Sequence, residues 1–380
     1  MASGTSARST WFQRFLLPAL AFKAVVIGGG YATGREIAEF FLTVGPIGGL
    51  YGILLAMALW SAVCALTFLF ARAFAATDYR AFFRALLGPF WFLFEIVYVL
   101  LMVLILAVMA AAAGSIGAAF GLPHWAGTAA LMAAIVGVTG FGTAAAERMF
   151  RFSSAFIYLV YGGFLVLALA SFGGRIAPQF AAAEAGPAAA WIAGGATYAG
   201  YNLVAAVAIL PFLRHLTSRR DAVAAGLLCG PVAMLPALLF FLCMVAFYPE
   251  VGGEALPSDF LLRRLEAPWF HLLFQAMILC ALLETGVGMV NAINERVAAS
   301  LERRRQRFGR AQRLALSAAL VIGSGVVAAR FGLIDLIARG YGAFGWIMLA
   351  LFVLPLATIG VARLMARKGG EPERGEAHAA

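Results

Sequence analysis

Charge is the scarcest property of this chain. Asp, Glu, Lys and Arg make up only 12% of its 380 residues, about half the share in a soluble domain, which excludes an ordinary water-soluble globule. Cysteine is nearly absent too: Cys64, Cys229, Cys243 and Cys280 stand singly in apolar runs, with no Cys-x-x-Cys pair. That spacing excludes a disulfide framework or a zinc cluster and reads as core packing. The four histidines are equally scattered. No Gly-Lys-Ser/Thr follows a glycine-rich loop, which excludes a P-loop nucleotide site. With no metal cluster, nucleophile–base set or cofactor motif, the chain is not read as an enzyme, and no cofactor beyond a coupling ion is expected.

What the chain has instead is apolar length. Hydrophobic residues are 63% of the total and come in runs long enough to cross a bilayer as helices, at about 20 residues each. Ten such spans lie near 12–43, 46–73, 89–119, 124–145, 152–173, 187–214, 222–248, 268–298, 313–329 and 341–364, the first and sixth interrupted. They must be helices, because lipid cannot satisfy open backbone groups and no alternating barrel pattern occurs. The reading is an all-α polytopic membrane protein.

The net charge of +10 does not point to nucleic acid, because the basic residues sit in short loops between spans. With a cytoplasmic N-terminus, the inside segments hold 21 of the 28 Lys and Arg and the outside segments 5, with Lys23 and Arg35 inside the first span. This bias orients the chain with both termini cytoplasmic. The polar start, residues 1–11, carries no small-residue cleavage site, so a signal peptide is not expected. The polar tail, 365–380, reads as disordered. Ten spans divide into five and five, and halves of odd number must be inverted relative to each other. The expected organisation is a first five-helix repeat over 12–173, an extracellular linker over 174–186 and a second repeat over 187–364.

The first span contains "VVIGGGYATGRE", Val25 to Glu36. As a dinucleotide fingerprint it fails: Gly28 and Gly30 fit, but Thr33 stands where the third glycine belongs, and no acid occurs about twenty residues on. Shifting by 166 residues superposes Gly28, Gly29 and Gly34 on Gly194, Gly195 and Gly200 of "WIAGGATYAGYN". Each window holds a glycine pair, a threonine, a tyrosine and a closing glycine. Paired glycine-interrupted spans at matching positions mark a transporter's binding site, where bare N–H and C=O groups at the breaks face a carboxylate or a cation. The alternative is close helix packing through small residues, as in Gly30-x-x-x-Gly34. Recurrence of the motif, and the charges of "GREIAEFF" directly after it, favour the discontinuous helix.

These features resemble the LeuT fold of the amino acid–polyamine–organocation superfamily. "GGGYATGREIAEFF" is similar to the opening Gly-x-Gly-Phe-Ala-Ser-Gly-x-Glu-Ile-x-x-Phe-Phe of its bacterial YkvI-type membrane proteins. The resemblance implies a multi-pass protein of the bacterial inner membrane, with the substrate held against the breaks of helices 1 and 6 and closed in by helices 3 and 8. Carried over, the lining is Gly28, Gly29, Gly30, Thr33, Gly194, Gly195, Thr197, Tyr198 and Asn202, with Tyr31 and Gly34 in the same window. A sodium ion often sits between the first break and helix 8, where "LLETGVGMVNAIN" offers only Thr285 beside Glu284. That departure puts protons ahead of sodium as the coupling ion.

Glu95 and Glu284 each lie in apolar surroundings, where a charge costs about 2.5–3.5 kcal/mol at mid-membrane, so a functional role is expected of both. Glu95, Tyr98, Met102 and Met109 share one helix face, as do Glu284, Gly288 and Asn291. Such a carboxyl can exchange a proton during transport, hold an amine or Lys23, or simply donate a hydrogen bond between helices. Lys23, ahead of the break, either snorkels to the interface or stands where a sodium ion would otherwise sit. Arg35 and Glu36, just past the break, are candidate gate residues. The basic segment Glu302 to Arg313 is suited to anionic headgroups, and a short amphipathic helix is expected from Ser258 over the site mouth. The expected activity is secondary transport of a small zwitterionic or cationic organic solute, an amino acid or related amine, with a non-transporting membrane sensor as the competing class.

Overall fold

The computed structural model describes residues 9–140, 143–303 and 305–368. Residues 1–8 and 369–380, where the polar start and most of the tail expected to be disordered fall, lie outside the described residues.

The first span is in pieces. After a π-helical turn, Phe12–Leu16, α1 (Leu17–Val26) ends where Ile27 leaves helical geometry, at ψ 84°, and Gly28 is extended. A single turn, α2 (Gly29–Ala32), and α3 (Arg35–Phe40) come next, separated at Gly34. Gly34 has φ +80°, a left-handed value that only glycine adopts without strain, and a β-carbon there would stand 2.7 Å from Phe240.

The second span is α4 (Gly45–Ala73) and leads into the short amphipathic α5 (Tyr79–Leu87), capped by Asp78, which accepts from the Ala81 N–H. The third to fifth spans are α6 (Trp91–Ala119), α7 (His124–Gly140) and α8 (Thr143–Phe172). Helix α9 (Ile176–Ala182) lies in the connection to the second half. There α10 (Ala188–Asn202) gives way at Leu203 to α11 (Val204–Ala208) and a 3-10 stretch to His215. Helix α12 (Arg219–Val245) starts on a capping box of Ser218 and Asp221. Then come α13 (Pro257–Arg264), the short helix expected from Ser258, and α14 (Pro268–Arg303). Helix α15 (Arg310–Asp335) turns at Gly332, φ +69°, into a tenth span that mixes π turns with α16 (Gly342–Met348) and α17 (Val361–Lys368).

Among the described residues six stretches are long and apolar enough to cross a membrane by themselves, and the last of these, Arg310–Arg367, contains two spans. The broken first and sixth spans and the shorter His124–Gly140 complete ten. The halves exchange partners as an inverted repeat requires. Helix α1 packs on α12 as α10 packs on α4, and α6 packs on α15 as α14 packs on α7. The two amphipathic helices also correspond, since α5 comes after the second span and α13 after the seventh. At the centre, Trp60 of α4 packs on Phe22 and Tyr198 and donates to the Ala199 carbonyl at 3.1 Å. In lipid, such packing and hydrogen bonding hold helices together rather than hydrophobic burial.

Candidate functional site

A cavity of about 60 Å³ opens beside the break in the first span. It is lined by Gly28, Gly30 and Glu36 of that span, Ile105 and Met109 of α6, Tyr201 and Asn202 at the end of α10, Val204 and Ala205 of α11, Thr285 and Met289 of α14, and Tyr341 of the tenth span. Both broken spans therefore meet at one place, with the third and eighth closing it. Glu36 is its only charged side chain among the described residues.

The Glu36 carboxyl lies over Gly30, in the space a side chain there would take, and its Oε2 accepts a 2.5 Å hydrogen bond from the Tyr201 hydroxyl. Tyr201 stacks on Tyr341 at 4.5 Å between ring centroids, so one aromatic wall faces the carboxyl. Asn202 donates to the Tyr198 carbonyl at 3.1 Å, which leaves its side-chain oxygen as an acceptor. Gly28 sits against α14: a β-carbon on it would lie 3.1 Å from Thr285 Oγ1.

Of the residues expected at the site, Gly28, Gly30, Asn202 and Thr285 come together here. Glu36, expected at a gate, joins them. Consecutive helical residues point about 100° apart, so Arg35 and Glu36 cannot face the same way. Arg35 turns away from the cavity and stays buried, donating to the carbonyls of Gly252 and Glu254 at 2.8 Å each and to Glu39 at 2.5 Å. The Ser258 N–H adds a 3.1 Å bond to the Thr33 carbonyl. Arg35 thus pins the segment before α13 onto the second half of the first span. At the basic end, Arg14 forks onto Asp221 at 2.9 and 2.6 Å, tying the start of the same span to the start of α12.

Other expected lining residues are placed elsewhere. Gly29 opens α2, and the Thr33 hydroxyl donates to the Gly30 carbonyl at 2.6 Å, closing the turn instead of facing the cavity. Tyr31 and Tyr198 are buried in an aromatic layer with Tyr161, Phe41 and Trp60. The expected break at 194–200 is not there: α10 runs unbroken to Asn202 and the interruption comes at Leu203. Gly194 instead meets the Phe40 carbonyl, Gly195 lies where a β-carbon would be 2.6 Å from the Gly52 carbonyl, and Gly200 meets Gly345, which also presses on Thr197. These glycines let helices touch, the small-residue packing that was the alternative for this motif.

Glu95 and Tyr98 do not reach the cavity either. Because α6 starts at Trp91, Glu95 is in its second turn at the basic end, not mid-membrane. Arg80 and Arg296 pair with it at 3.1 and 3.0 Å, and Arg296 lies 4.3 Å from the Tyr98 ring centroid. Lys23 is half-buried with its ammonium 4.6 Å from the ring centroid of Tyr158 on α8, and Glu284 acts electrostatically on the same tyrosine. Tyr341, like Ile105, Val204, Ala205 and Met289, is a lining residue that sequence reasoning passed over, and the "ARGYGAFG" around it (Ala338 to Gly345) is the signal that marks it.

The sequence matches no protein-family model and no curated protein. Solved structures do resemble the fold. MhsT in complex with L-phenylalanine superposes with a TM-score of 0.60 at 15% identity, over 94% of this chain and 98% of that one. A Na+-coupled sialic acid symporter, in a substrate-bound outward-open state, superposes with a TM-score of 0.62 at 12% identity, over 90% and 78%. At these identities the likeness establishes the fold alone: a LeuT-like membrane protein of two inverted five-helix repeats with discontinuous first and sixth helices.

Proposed function

We propose that this protein is a secondary active transporter that moves a small zwitterionic or cationic organic solute, an amino acid or a related amine, by alternating access. One observation carries the reading: the two halves of the broken first span, joined at the cavity, are latched separately at opposite ends of the bundle. Arg14 holds one half through Asp221, and Arg35 holds the other through the segment before α13. Releasing either latch alone would open the cavity to one side, which is what alternating access requires. The charge bias of the loops supports a cytoplasmic basic end, and the YkvI-type resemblance of the first-span motif supports a bacterial inner-membrane location.

Protons are the favoured coupling ion, because the cavity contains a carboxyl and Lys23 stands on the first span ahead of the break. A sodium-coupled mechanism is the second reading, favoured by Thr285 facing Gly28 and by the Na+-coupled symporter among the structural relatives. The test is solute uptake into proteoliposomes under an imposed proton gradient, a sodium gradient or neither. Accumulation driven by protons alone is expected. Accumulation only with sodium replaces the first reading by the second, and binding without accumulation under any gradient identifies a sensor instead.

A further inference from the structure

The cavity itself narrows the solute, an inference that rests on the transport reading only for its consequence and not for the binding site. No lysine, arginine or histidine lines it among the described residues, and Arg35, next to Glu36 in sequence, is committed to Glu39 and the Gly252 and Glu254 carbonyls. A lone buried carboxylate is unstable unless neutralised, and Glu36 is buried. Nothing in the lining offers a cation to a solute carboxylate, so a zwitterion would set its own carboxylate beside that of Glu36.

The remaining wall suits a cation. The stacked faces of Tyr201 and Tyr341 offer aromatic surface, the side-chain oxygen of Asn202 is a second acceptor, and Val25, Val26, Ile105, Met109 and Met289 offer apolar contact. A volume of about 60 Å³ admits only a handful of heavy atoms. The titratable groups facing Glu36 are Tyr31 from its own span, Tyr198 and Tyr201 from α10 and Tyr341 from the tenth span, while α6 and α14 bring Met109, Thr285 and Met289. None of these is a cation, so among the described residues nothing neutralises the carboxylate, and a proton or a cationic solute has to.

We propose that Glu36 is the counter-ion for a small alkylammonium, and that the same carboxyl carries a proton when the amine is absent. The exchange balances: the protonated carboxyl and R–NH3+ give the carboxylate–ammonium pair and one released H+. In a membrane carrier this makes amine and proton alternative passengers, moved in opposite directions.

The experiment compares ethylammonium, ethanol, acetate and glycine for binding to the purified protein by calorimetry, from acid to neutral pH. Ethylammonium binds at least about tenfold more tightly than the other three, and at acid pH it releases about one proton, its affinity falling about tenfold per unit of acidification. Glu36→Gln removes both the binding and the proton release. Ethylammonium binding no tighter than ethanol, acetate or glycine overturns the proposal, as does wild-type affinity in Glu36→Gln or binding without proton release. Should Glu36→Gln fail to fold, Glu36→Asp, which withdraws the charge by one methylene, must weaken ethylammonium, and unchanged affinity is equally decisive. Binding of this kind without flux in proteoliposomes refutes the transport reading and leaves the amine site standing; glycine flux indifferent to Glu36→Gln does the reverse.

Discussion

The Tyr201 hydroxyl donates a 2.5 Å hydrogen bond to Glu36 Oε2, joining the second half of the broken first span to the last turn before the break in the sixth. Sequence separates the two residues by 165 positions. The bond holds the carboxyl at the cavity edge. Movement of either broken span therefore moves the carboxyl with it.

The absence of a side chain at Gly30 makes room for that carboxyl. A β-carbon there would collide with Glu36 Oε1 and stand 3.2 Å from Met109 Cε. Gly30→Ala is expected to displace Glu36 and weaken ethylammonium by about tenfold or more, at the scale of a lost charge-assisted contact. Thermal shift with and without ethylammonium checks this: the protein alone melts near the wild type, and the ligand-induced shift disappears.

The glycines of α10 predict a different outcome. Gly195→Ala drives a methyl toward the Gly52 backbone, which cannot rotate away. Overpacking of that kind costs about 1–3 kcal/mol. The melting temperature should fall for Gly195→Ala, while any residual ligand shift persists, because this glycine packs helices and does not line the cavity.

Arg35→Lys keeps the charge but not the fork that reaches two carbonyls and Glu39 at once. The segment 250–258 should exchange its amide hydrogens faster, and cysteines placed near Gly28 should become reachable from that end. Unchanged exchange there would mean that Arg35 is no latch.

At the other end, Arg14→Asp and Asp221→Arg should each raise access from the basic side. The double exchange should restore closure in part, since the pair is re-formed with its sign reversed. Additive effects in the double variant would show that the two side chains do not act as one latch.

Glu95→Gln is expected to leave the pH dependence of flux unchanged. It abandons Arg80 and Arg296 in a part-exposed site, at about 1–2 kcal/mol, between the surface and buried limits. A melting curve shifted downward with an unaltered pH profile is the expected pair of results.

Sequence alone was enough for the ten spans, the interruption at Gly28 to Gly34, the inverted halves and the helix beginning near Ser258. Each comes from local composition: lipid tolerates only apolar helices, glycine loosens them, and an odd number of crossings turns the second repeat upside down. The tertiary structure decided which side chains meet. The glycine pair at 194 and 195 is identical in type to that at 28 and 29, yet one pair packs helices and the other borders a break: Gly194 and Gly195 press on the Phe40 and Gly52 backbones, whereas Gly28 meets only the Thr285 side chain. Glu95 and Glu36 exchanged their expected importance for the same reason. Arg296, 201 residues away, neutralises the first, and Tyr201 and the turn of α3 bring the second into the cavity. The partner that sets a buried group's role comes from a distant part of the chain, where no local pattern records it.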